Sequence, residues 1–101
     1  MNFLQETIKE LIDNNKSEQD VLWVIDDDKK ITWETFKEKA DFMYDTWCDG
    51  IEINPNLKVV GKDFWLEREE FDGCAWWEFR QAPIVPEGNN VDEIELTYRL
   101  W

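Results

Sequence analysis

The chain has no histidine among its 101 residues, which removes most familiar catalytic and zinc-binding arrangements. A cysteine or serine nucleophile lacks the imidazole base that usually activates it. Zinc would have to rely on Cys48 and Cys74, which form no CxxC unit. With only 4 glycines, the chain has no glycine-rich phosphate loop. Two cysteines are also fewer than a secreted scaffold of this size carries, so both are expected as partly buried free thiols in a reducing cytoplasm. No apolar run approaches the roughly 18 residues that span a bilayer. The opening "MNFLQETIKELIDNN" is broken by Gln5, Glu6, Lys9 and Glu10, unlike a signal peptide. Positive charge is scarce as well: 11 basic residues face 24 acidic ones, for a net charge of -13 and an isoelectric point near 4.2.

What is abundant is apolar and aromatic bulk. Hydrophobic residues make up 43% of the chain and aromatics 15%, including 7 tryptophans, too much for a disordered acidic chain. The length suits one domain with a single core, residues 1–101. The acidic surface repels nucleic-acid phosphates and anionic membranes, so direct binding to either is not expected. The expected partner is a protein with a basic surface, met in a fast, salt-sensitive encounter. Carboxylates are plentiful, but no pair stands out for acid–base work, and they read as a solvated surface. Asp26, Asp27 and Asp28 suggest a divalent-cation loop, yet an EF-hand count from Asp26 puts Ile31 where glycine belongs and Lys37 where glutamate belongs. No enzyme activity, cofactor or metal is expected.

Residues 2–14 carry Phe3, Leu4, Ile8, Leu11 and Ile12 at helical spacing, ended by Asn14 and Asn15, with a polar hinge through residue 20. "VLWVI" (21–25) reads as a strand buried on both faces, and "DDDKK" as the turn after it. Thr32 stands at a helix N-cap without the glutamate of a capping box. Trp33, Phe36, Ala40, Phe42, Met43 and Trp47 then repeat at helical spacing up to Gly50. Short strands are expected at 51–53, 57–60, 64–71 and 74–80, with Asn54-Pro55-Asn56 as a turn. "APIVPEGNN" is irregular, and Ile94, Leu96, Tyr98 and Leu100 alternate like a half-buried C-terminal strand. The fold class is α+β: a mainly antiparallel sheet of about four to six strands, with one or two helices packed on one face.

Asp72-Gly73 predicts a type I′ hairpin. A two-residue loop there opposes Phe71 with Cys74, Glu69 with Trp76, Arg68 with Trp77, Leu66 with Phe79 and Trp65 with Arg80. The core face then holds Phe64, Leu66, Ala75, Trp77 and Phe79, interrupted by Arg68, Glu70 and Gln81. The other face holds Trp65, Phe71 and Trp76 beside Glu67, Glu69, Glu78 and Arg80. Glu67 opposite Glu78 is mildly repulsive, which either Arg68 or Arg80 relieves diagonally or which signals a different register. Trp65 and Trp76 are either an open binding surface or covered by a helix or the C-terminal segment. As a binding surface, the candidate residues are Trp65, Glu67, Glu69, Trp76 and Glu78, with Asp26, Asp27 and Asp28 extending an acidic row.

"VLWVIDDDKKITWETFKEKADFMYD" and "VVGKDFWLEREEFDGCAWWEFRQAP" together resemble small acidic phage and prophage proteins of Gram-positive bacteria. The resemblance covers roughly residues 21–83 and not residues 1–20 or 84–101. It implies a phage product acting in the cytoplasm of a bacterial host, and it assigns no site residue. Anti-CRISPR and other anti-defence proteins of phages are similar in being small, acidic and partly DNA-mimicking. Two functions are therefore expected in competition. One is an inhibitor docking on a basic, nucleic-acid-binding surface of a host enzyme. The other is a structural or regulatory protein whose outward tryptophans are buried in a homo-oligomer, at its simplest a homodimer.

Overall fold

The computed structural model describes residues 1–44, 52–88 and 90–98. Two helices, α1 (Phe3–Asp13) and α2 (Trp33–Ala40), pack on one face of a five-stranded antiparallel sheet. The strands are β1 (Val21–Asp26), β2 (Lys29–Ile31), β3 (Leu57–Gly61), β4 (Phe64–Phe71) and β5 (Cys74–Gln81), in spatial order β2-β1-β3-β4-β5. The fold class is thus the expected one.

Both helices start where their sequences direct. Asn2 caps α1 by accepting the Gln5 N–H, and Thr32 caps α2 by accepting that of Thr35. The core is the inner sheet face, Val24, Val59, Leu66 and Trp77, closed by Phe3, Leu11, Trp33 and Phe36 from the helices. Trp77 is 3% exposed, and its indole N–H donates to the hydroxyl of Thr7, which is itself fully buried on α1. That hydroxyl donates in turn to the Phe3 carbonyl, so neither polar group is stranded in the core.

The hairpin register is the predicted one throughout, from Phe71↔Cys74 to Trp65↔Arg80. Asp72 and Gly73 have φ of 53° and 83°, as a type I′ turn requires. Arg68, the interruption on the core face, lies over the Trp77 ring with its side chain only 3% exposed. Its charge is met by Glu6 of α1 at 3.6 Å, and Tyr44 donates its hydroxyl to the same carboxylate. A cation on a core-facing position is tolerated here because a helix carboxylate and two aromatic rings surround it.

Five expectations need correction. β1 is not buried on both faces: Leu22 and Trp23 are exposed, because the helices cover one side only and a bulge at Leu22 shifts the register. "DDDKK" is more than a turn. Asp27 and Asp28 make the bend, and Lys29, Lys30 and Ile31 return as β2. α2 stops at Ala40, since Phe42 and Tyr44 give their backbones to the N-terminus, through Phe3 N–H to Phe42 O and Tyr44 N–H to Met1 O. Phe42 still packs on Phe3, its ring tilted by 32°, but from a segment beyond the helix, while Trp47 and Gly50 lie outside the described residues. Glu52 and Ile53 are not in a strand, and Ile51 lies outside the described residues. Finally, Ile94, Leu96 and Tyr98 form no strand and are 76%, 86% and 81% exposed; Leu100 lies outside the described residues. The Cα radius of gyration is 17.5 Å. A compact chain of this length has about 13 Å, which fits a C-terminal segment that leaves the body.

Candidate functional site

Strand alternation and the one-sided helix layer together define an open outer face. Across it, the register lines up Trp23, Val60, Trp65 and Arg80 in one row, and Lys30, Ile25, Lys58, Glu67 and Glu78 in the next. Glu69 and Trp76 form a third row, followed by Phe71 and Cys74. Among the described residues, no helix and no part of the C-terminal segment covers this face. Trp76 is 39% and Trp23 is 38% exposed, while Trp65 is half-buried by its strand neighbours. Phe71, near the hairpin tip, is exposed as well.

Each outward indole on the hairpin is held by the carboxylate two residues along its strand. Trp65 donates to Glu67 at 2.8 Å, and Trp76 donates to Glu78 at 3.0 Å. Arg80 sits among three glutamates, at 3.5 Å from Glu67, 3.3 Å from Glu69 and 3.4 Å from Glu78. It therefore relieves the repulsion between Glu67 and Glu78, the role that the sequence left open between Arg68 and Arg80. The contacts are partly solvated and individually weak, but as a network they hold the indoles and carboxylates in fixed relative positions. Three carboxylates against one guanidinium leave the patch acidic.

Five of the eight expected site residues thus come together: Trp65, Glu67, Glu69, Trp76 and Glu78. The aspartates do not join them. Asp26 points to the inner side of the sheet, where it accepts a hydrogen bond from Asn54, and Asp27 and Asp28 are exposed on the β1–β2 turn. Lys30 and Lys58 lie on the outer face between that turn and the glutamates, so a continuous acidic row is not formed. Glu70 falls on the inner side, opposite Ala75.

The sequence reading missed Trp23, Lys30, Lys58 and Val60. Lys30 lies 3.9 Å above the Trp23 ring, and a shallow depression of about 340 Å³ is lined by Lys58, Val60, Trp65 and Glu67. One signal pointed to these residues: helices expected on one face of the sheet leave the other face open, so an apolar β1 had to expose one side. The observed helices, 11 and 8 residues and about 16 and 12 Å long, cover no more than that.

Among the described residues, no group of three or more acidic or cysteine side chains is placed to hold a metal ion. Cys74 is a free, half-buried thiol at the hairpin tip, and Cys48 lies outside the described residues. No described helix is long and apolar enough to cross a membrane. The arrangement offers indole surface for desolvated contact, framed by carboxylates and a few cations. No family model matches this chain, nor does any curated protein or solved structure.

Proposed function

We propose that this is a phage-encoded binding protein of the anti-CRISPR or wider anti-defence type, acting in the bacterial cytoplasm. It inhibits a host nucleic-acid-binding enzyme by docking its outer sheet face on that enzyme's basic surface. The observation that carries this reading is the open face itself, with Trp23, Trp65 and Trp76 set around Glu67, Glu69 and Glu78 on a chain of net charge -13. The overall charge steers encounter, and the indoles provide the desolvated anchor that charge alone lacks. Nucleic acid itself is not the ligand, because its phosphates would meet the same field unfavourably.

The test is binding kinetics against a partner captured from defence-expressing cells, at two salt concentrations. Replacing Glu67, Glu69 and Glu78 with glutamine should slow association and flatten its salt dependence. Glutamine is preferable to lysine because Arg80 rests among these three side chains. Trp76→Ala should instead speed dissociation. Unchanged association rate and salt slope in the triple variant would remove this face as the docking surface.

A further inference from the structure

The two edges of the sheet differ in kind. β2 is three residues long and carries Lys29 and Lys30, a short, charged edge of the sort that resists further pairing. β5 has eight residues, with no lysine, proline or bulge, and Pro83 lies beyond its end. The hairpin register decides which of its backbone groups are free. A two-residue loop makes Phe71–Cys74 a hydrogen-bonded pair, and every second pair outward follows, which the Ala82 N–H to Asp63 O bond at 2.8 Å confirms. Cys74, Trp76, Glu78 and Arg80 therefore turn their N–H and C=O groups toward β4. Ala75, Trp77, Phe79 and Gln81 turn theirs outward, and among the described residues these N–H groups have no hydrogen-bond acceptor.

We propose that this edge binds a second copy of the chain, β5 against β5, antiparallel, with Phe79 opposite Phe79 on the two-fold axis. Three registers place at least three of Ala75, Trp77, Phe79 and Gln81 in hydrogen-bonded pairs, all four of them when centred on Glu78, and side-chain charge separates the three. Centring on Glu78 sets Glu78 against Glu78 across the axis. Centring on Trp77 sets Glu78 against Trp76 and leaves Arg80 against Cys74. Centring on Phe79 sets Glu78 of each copy opposite Arg80 of the other, and pairs Trp77 with Gln81 through the backbone. In that register the ladder ends where Ala75 would meet Pro83, which has no N–H to give. The edge is self-complementary in charge as an isologous contact must be.

Pairing at the edge leaves Trp23, Trp65 and Trp76 uncovered and joins the two outer faces into one continuous sheet. It therefore leaves that face free to bind, although Glu78 belongs to both contacts. The two contacts also respond oppositely to salt. Each copy carries -13, so screening strengthens self-association, whereas it weakens docking on a basic partner.

The experiment is mass measurement in solution across protein and salt concentration, on the full chain and on edge variants. The intact chain is expected to form a dimer of twice 12.2 kDa, more fully at higher salt. Gln81→Pro should abolish the dimer and Ala75→Pro should not. Both remove an outward N–H and spare the bonds to β4, but only Gln81 is paired in the proposed register. In a Cys48→Ser, Cys74→Ser background, oxidised Phe79→Cys should give a covalent dimer and Ala75→Cys should not. A hydrogen-bonded pair across the axis has Cα atoms about 5.5 Å apart, within disulfide reach. A monomer at millimolar protein and high salt overturns the proposal. So does a dimer indifferent to Gln81→Pro, or one that forms only after residues 91–101 are removed. That last outcome would assign the edge to the chain's own C-terminal segment. Gln81→Pro should leave docking of a basic partner intact, so the two readings fail separately.

Discussion

Trp77 and Trp76 are neighbours in sequence and opposites in environment, and the contrast is measurable. Trp77→Ala should cost about 3–5 kcal/mol, the range for truncating a buried large aromatic. Trp76→Ala should cost clearly less, since its ring is 39% exposed. Thr7→Val keeps the shape but strands the Trp77 indole N–H, for a loss of about 1–3 kcal/mol. Urea melts of the three variants check this, and equal losses for the two tryptophans would refute the face assignment. Glu10 offers a pH test. Its carboxyl is held above the ordinary value of 4.5, first by burial and then by Asp13 and Glu78, against a hydrogen bond from Asn14. A raised folded-state pKa means that its contribution is fully present below 4.5 and is lost as the pH rises through the folded value. Glu10→Gln, which keeps the Asn14 contact, should therefore melt higher than the parent at pH 7.5, with the gap narrowing as the pH falls through the folded value toward 4.5. A gap that does not change with pH would rule out the charge as its cause.

At the level of elements, the β3–β4 connection turns on one small residue. Gly61 ends β3 against the Phe64 ring, and a Cβ built there would collide with the edge of that ring. Phe64 is buried and stacks on Phe79, so it has little room to retreat. Gly61→Ala should cost about 1–3 kcal/mol through overpacking. A near-neutral urea melt would show that the ring shifts freely. The hairpin was legible residue by residue because Asp72-Gly73 dictates its turn and a period of two dictates its faces. α2 was overrun because Phe42 and Met43 continue the helical spacing of Trp33, Phe36 and Ala40. Spacing does not reveal that the backbone beyond Ala40 is recruited by Met1 and Phe3, more than 35 positions away. The C-terminal alternation misled for a related reason. Ile94, Leu96 and Tyr98 have strand periodicity, but a strand also needs a neighbour, and none of the described residues provides one.

For the whole molecule, a net charge of -13 is a standing repulsion that the fold must overcome. Raising ionic strength from low salt to about 0.5 M shortens the Debye length to a few ångströms. The melting temperature should rise over that range, because the general repulsion exceeds what solvated pairs such as Arg80 with Glu67, Glu69 and Glu78 lose. A falling melting temperature in a salt titration would mean that specific pairs outweigh net charge.

The amino-acid sequence by itself determined the α+β class, the first helix, the Thr32 cap of the second, the hairpin and its register, and which side of it Trp65, Glu67, Glu69, Trp76 and Glu78 occupy. These follow from short-range rules, namely capping, turn chemistry and alternation, which act over a few residues. Only the tertiary structure decided that the helices cover a single face, so that Trp23 joins Trp65 and Trp76 in the open. It also decided that Arg68 is neutralised by Glu6, that Arg80 sits among three glutamates, and that Asp26, Asp27 and Asp28 stand apart from them. Each of these depends on which distant segments are neighbours in space, and that is settled by packing a limited helical surface against five strands.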